Sequence, residues 1–133
     1  MSPPSPRPPN SRPPVGRARS VGRSFRFAFG GVGYCLRTQR NFRIHTLAAA
    51  AVLIAGLLLR LAALEWAVLA LTVTLVLAAE MLNTVVEAAV DLASPGYQPL
   101  AKVAKDVAAG AVLVTAIGAV VVGACVLLPH LLP

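Results

Sequence analysis

Four residues of one short segment, EMLNTVVEAAVD at positions 80–91, have side chains that could act together: Glu80, Asn83, Glu87 and Asp91. At about 100° of rotation per residue, with Glu80 as zero, Asn83 falls near about −60°, Glu87 near about −20° and Asp91 near about +20°, so a helix would carry all four on one stripe. Three of the chain's 5 acidic residues stand here, with Glu65 and Asp106 the others, and the segment continues a very apolar stretch. A carboxylate at the centre of a bilayer costs roughly 2.5 to 3.5 kcal/mol even on the lenient insertion scale, which makes such residues functional candidates by default. Carboxylates and an amide near a lysine can bind a divalent cation and a phosphate chain. Hard cations take oxygen ligands, and magnesium commonly uses one or two carboxylates together with substrate phosphates. That chemistry is phosphoryl transfer, in which catalysis is mostly positioning and charge neutralisation. A polar network that holds helices of an oligomer together would use the same residue types.

The elements that must position this stripe follow from composition. Over 133 residues the chain is 57% hydrophobic and 13% charged, with mean hydropathy +0.75, whereas an ordinary soluble domain is about 25% charged. Three apolar stretches, at 47–64, 66–79 running on into the acidic stripe, and 107–128, each approach the roughly 20 residues needed to cross the hydrocarbon as a helix. The expectation is an all-α membrane protein. Of the 12 basic residues, Arg7, Arg12, Arg17, Arg19, Arg23, Arg26, Arg37, Arg40 and Arg43 precede the first span, which puts the N-terminus in the cytoplasm by the positive-inside rule. Because these residues flank a span, their charge argues for a membrane surface and no nucleic-acid partner. The same topology separates Cys35 from Cys125 by the bilayer and leaves no disulfide or CxxC metal site. The long basic segment before the first apolar run is unlike a cleaved leader, so that run is read as retained.

Residues 1–19, rich in Pro, Ser and Arg, form a tail with nothing apolar to bury and are expected to be disordered. Phe25, Phe29, Val32 and Leu36 then recur at helical spacing among arginines, the pattern of a helix lying on the membrane surface at about 20–40. Gly30, Gly31 and Gly33 lower its helicity, which close packing or the lipid surface would offset. Membrane-spanning helices are expected at about 44–64, 65–93 and 104–128. With Trp66 at the outer interface, Glu80 lies roughly 21 Å and Glu87 roughly 31 Å along the helix, toward the cytoplasmic face. The loop SPGYQPL closes that helix, and Lys105 and Asp106 open the next at the same level.

The strings FRFAFGGVGYCLRTQRNFRIH, EMLNTVVEAAVDL and YQPLAKVAKDVAAGAVL, in this order, closely resemble the prokaryotic diacylglycerol kinase family, which includes undecaprenol kinases. The resemblance covers roughly residues 20–125 and implies a surface helix plus three transmembrane helices, assembled as a homotrimer with active sites between subunits. It further implies a bacterial inner-membrane enzyme that moves the γ-phosphoryl of ATP, with Mg2+, to a membrane lipid alcohol. Matched position by position, Glu80 resembles the general base, Asn83 a residue that orients groups beside it, and Glu87 a magnesium and nucleotide ligand. Lys105 and Asp106 match the nucleotide-binding pair, and Arg43, within RNFRIH, lies where the lipid approaches. Asp91 matches the last acidic position, where helix-end solvation is an equal reading. Gln39 stands where many members have a metal-binding glutamate, Gln98 where many have histidine in the nucleotide site, and Phe27 where tyrosine is common. Gln39 offers a carbonyl oxygen without charge, so magnesium binding is expected to be weaker than in a glutamate-bearing relative.

Asn83–Thr84, VDL and RNFRIH look more like the undecaprenol branch than the diacylglycerol branch. The rival readings are a proton or cation conductor, whose polar stripe would have to continue across the bilayer, and a structural assembly protein. Residues 69–79 offer only Thr72 and Thr74 as polar groups. Arg60 is expected to snorkel to outer headgroups, Trp66 to anchor the interface, and His130 to be a solvated end.

Overall fold

Long apolar runs leave backbone N–H and C=O groups no partner but their own helix in a bilayer, and the chain is helical wherever such runs occur. The computed structural model describes residues 21–132. It consists of α1 (Val21–Thr38), α2 (Arg40–Leu59), α3 (Ala63–Ala93) and α4 (Pro99–Leu131), with no strand among the described residues. The architecture is the expected one of an N-terminal helix followed by three helices long and apolar enough to cross a membrane. The tail at 1–19 lies outside the described residues.

One extended residue, Gln39 at φ −98° and ψ 114°, separates α1 from α2 and is the N-cap of α2. Its partner in kind is Gln98, φ −132° and ψ 132°, the N-cap of α4, followed by Pro99 at the first helical position. Proline suits that position because its missing N–H has no helical partner there in any case. Neither glutamine side chain caps its helix.

The α2–α3 corner is a Schellman turn. Arg60 takes the left-handed conformation at φ 57°, ψ 49°, while its N–H donates to Leu57 O at 3.4 Å and the Leu61 N–H to Gly56 O at 3.2 Å. These two bonds satisfy carbonyls at the helix end, where glycine is the usual left-handed residue. Leu61 and the Trp66 ring fold back over Gly56: a Cβ there would meet Leu61 Cδ1 at 3.0 Å and Trp66 Cη2 at 3.0 Å. The Glu65 carboxylate accepts the Ala62 N–H at 2.7 Å, which fixes the start of α3.

Helices α3 and α4 form the most extensive contact in the molecule. They run antiparallel, clamped at one end by Lys105 Nζ and Asp91 Oδ1 at 2.5 Å and at the other by His130 Nε2 and Glu65 Oε1 at 2.8 Å. Between the clamps lie roughly 25 residues of each helix, or about 38 Å, more than the hydrocarbon thickness of about 30 Å. His130, expected as a solvated end, is thus partnered, because antiparallel packing returns the end of α4 to the start of α3.

The buried apolar residues are few: Cys35, Phe42, Leu61, Leu69, Val76 and Val112. Even in α3 only 22% of the most apolar window is buried, so the outward faces suit hydrocarbon or other subunits. On α1, Phe25, Phe29 and Leu36 are exposed. Close packing within the chain is not the reason for Gly30, Gly31 and Gly33, since a Cβ at each would meet open space.

Candidate functional site

Along α3 the polar stripe grades from buried to exposed. Glu80 is 2% exposed and Thr84 8%, Asn83 and Glu87 are half-buried, and the Asp91 side chain is 67% exposed. The gradient follows the helix toward the end that carries Lys105, so the carboxylates sample environments from helix-packed interior to solvent within about 16 Å.

Glu80 is held by packing more than by hydrogen bonds. Thr84 Oγ1 donates to the Glu80 backbone carbonyl at 3.0 Å, while the carboxylate Oε1 is buried without a hydrogen bond. The basic group facing it is His45 Nε2 of α2, at 3.4 Å, beyond the 2.7–3.2 Å of ordinary N–H···O bonds. One turn further, Asn83 Nδ2 donates to Glu87 Oε1 at 3.0 Å. That bond orients the amide and leaves Asn83 Oδ1 buried and unpartnered.

Two cavities lie along the helices that position this stripe. An apolar one of about 340 Å³ lies between α2, α3 and α4, with His45 and Thr72 as its polar lining residues among alanines, valines and leucines. A polar one of about 350 Å³ lies at the loop joining α3 to α4 and gathers Gln98, Lys105 and Asp106 with Asp91, Ser94 and Lys102. Of the four residues expected at a nucleotide site, Gln98, Lys105 and Asp106 share one cleft, and Glu87 does not line it. Within it Lys105 and Asp106 do not pair with each other. Lys105 binds Asp91 across the helix pair, and Asp106 binds Lys102 one turn earlier on α4.

Gln39 is half-buried at the α1–α2 break, and Arg43, exposed one turn into α2, donates its backbone N–H to Gln39 O at 3.3 Å. Sequence reasoning did not single out His45 as a partner of Glu80, nor Ser94, whose hydroxyl is buried without a partner in the polar cleft. No periodicity announces either contact, because each depends on how two helices cross.

Among the described residues no three of His, Cys, Asp and Glu cluster as a closed metal site. The oxygens that remain, Glu87's second carboxylate oxygen and the orphaned Asn83 Oδ1, fit an ion that fills its shell with phosphate oxygens and water, as magnesium does.

Three helices of spanning length around one buried carboxylate-bearing stripe define an all-helical membrane protein. The chain belongs to the prokaryotic diacylglycerol kinase family, which it matches over residues 26–127. Over 110 residues it is 58% identical to a diacylglycerol kinase of Synechocystis sp., a match covering 82% of this chain and 63% of that protein. Over 109 residues it is 44% identical to an undecaprenol kinase of Bacillus subtilis, covering 82% of this chain and 89% of that one. The chain thus spans less than two thirds of the Synechocystis protein and most of the Bacillus one.

Proposed function

We propose that this protein is an ATP-dependent lipid kinase that transfers the γ-phosphoryl group to the hydroxyl of a membrane lipid alcohol, with undecaprenol preferred over diacylglycerol. The observation that carries the reading is Glu80, buried with an unpartnered Oε1 on the Asn83–Glu87 stripe, in a chain of this family. The names of the two relatives divide between the acceptors. The preference for undecaprenol rests on Asn83–Thr84, VDL and RNFRIH in this chain.

In the proposed reaction Glu80 is the general base. It takes the proton of the lipid hydroxyl as that oxygen bonds to the γ-phosphorus, while the bond from the γ-phosphorus to the bridging oxygen breaks and ADP leaves. A base of this kind contributes about 10²- to 10⁴-fold. Asn83 orients Glu87 through its amide. Glu87 and the carbonyl of Gln39 are the residues that would hold magnesium, which when bound neutralises charge on the transferring phosphates. Lys105 meets the phosphate charge, with Asp106 and Gln98 beside it in the polar cleft, and Arg43 meets the lipid at the membrane surface. Lys105 must exchange Asp91 for phosphate when the nucleotide arrives. The setting we propose is a homotrimer in the bacterial inner membrane with the N-terminus cytoplasmic, supported by the basic residues ahead of α2.

The test is transfer of label from ATP with magnesium to undecaprenol and diacylglycerol offered together in mixed micelles, with Glu80→Gln as control. Label in undecaprenol that depends on Glu80 supports the whole reading. A tenfold preference for diacylglycerol would reverse the acceptor assignment, and no transfer to either lipid by folded protein would remove the kinase.

A further inference from the structure

We infer that His45 is a positioning residue for Glu80, an inference that rests on the lipid-kinase reading above. His45 occupies the one place where α2 brings a titratable side chain against the buried carboxylate, Nε2 standing 3.4 Å from Oε1. That oxygen has no hydrogen bond, and Glu80 is 2% exposed, so water does not replace the missing donor. The separation exceeds the usual upper limit of an N–H···O bond by only about 0.2 Å. Long contacts of this kind in a substrate-free site tighten when the reactants bind.

His45 also lines the apolar cavity between α2, α3 and α4, where it is the sole residue with a titratable side chain. It therefore stands between Glu80 and a space suited to hydrocarbon. The ionisable groups facing Glu80 are His45 of α2 and, two turns along its own helix, Glu87. A neutral imidazole donating Nε2–H to Oε1 fixes the carboxylate plane and leaves Oε2 to take the proton of the acceptor hydroxyl. The donor is needed at Nε2 and the ring as such is not. A glutamine amide reaches the same point, whereas phenylalanine fills the same volume and donates nothing.

The experiment compares His45→Phe and His45→Gln with the unchanged protein in the mixed-micelle assay, after each variant is shown to be folded by thermal unfolding. His45→Phe is expected to lower kcat by about ten- to a hundredfold, the loss of one hydrogen bond to a charged group, with the KM for ATP within about twofold. His45→Gln is expected to stay within about threefold of the parent. Wild-type kcat in His45→Phe overturns the inference, as does an equal loss in folded His45→Gln, which would make the ring's shape the relevant property. Imidazole added to His45→Ala gives a second reading that does not depend on the larger variants folding: recovery supports a positioning donor, and none overturns it. If the parent protein transfers no label, the kinase reading falls first and this inference with it.

Discussion

Asn83 and Glu87 are joined by a 3.0 Å hydrogen bond one turn apart on α3, and the bond orients both ends of the proposed site. It spends the amide nitrogen on Glu87 and leaves Asn83 Oδ1 without a partner, beside a Glu80 whose Oε1 is equally unpartnered. Two buried oxygens without hydrogen bonds in one helix turn are costly, about 1 to 3 kcal/mol each. They are a cost that a bound ion or substrate hydroxyl would relieve.

Asn83→Ala removes the donor that aims Glu87. The expected outcome is a magnesium half-saturation raised several-fold and a kcat lowered about tenfold, the scale of one charge-assisted hydrogen bond. Magnesium titrations of phosphoryl transfer at saturating ATP read both.

Lys105→Ala is expected to raise the KM for ATP at least about tenfold, because a charge-assisted ammonium–phosphate contact is lost. Asp91→Asn breaks the same ion pair from its exposed side, and such pairs contribute about 0.2 to 1 kcal/mol. Its thermal stability should therefore change by less than about 1 kcal/mol, measured by unfolding in detergent.

Gln39→Glu places a carboxylate at the N-cap of α2, where the helix dipole favours negative charge by about 0.3 to 1 kcal/mol. It also supplies the charge whose absence motivates the expectation of weaker magnesium binding. Magnesium half-saturation should fall, and a value unchanged or raised would show that Gln39 takes no part in the ion's shell.

Gly56 lies under Leu61 and Trp66. Gly56→Ala gains about 1 kcal/mol of helix propensity against overpacking of about 1 to 3 kcal/mol, and is expected to be slightly destabilising. Gly56→Leu cannot be accommodated without moving the Trp66 ring, so a loss above about 2 kcal/mol is expected. Thermal unfolding of the two variants side by side reads the difference.

Arg60→Gly tests the left-handed residue of the α2–α3 turn. A side chain in that conformation costs about 1 to 2 kcal/mol, partly offset by glycine's greater freedom in the unfolded chain. The expected result is a stabilisation of about 0.5 to 1 kcal/mol with activity unchanged, since the turn lies at the end of α3 opposite the polar cleft.

Most of the architecture was legible because its signals are one-dimensional. Apolar runs of spanning length announced α2, α3 and α4, and the spacing of Glu80, Asn83, Glu87 and Asp91 announced the stripe. Pro99 at the first position of α4 is the local signal that marks Gln98 as its N-cap. The contacts that were not legible all join separate helices. His45 meets Glu80 only through the crossing of α2 and α3, Lys105 takes Asp91 in preference to its neighbour Asp106, and His130 finds Glu65 across the length of the molecule. Each depends on relative register, which no single helix encodes.

The two clamps on the α3–α4 pair have a mechanical consequence. A slip of one helix past the other would break Lys105–Asp91 and His130–Glu65 together, so the two pairs favour a single register. In a bilayer whose thickness does not match, tilting as one body keeps both pairs intact and changes the depth of Glu80. For the proposed kinase, turnover is then expected to vary with the acyl-chain length of the surrounding membrane, as phosphoryl transfer in vesicles of defined lipid would read.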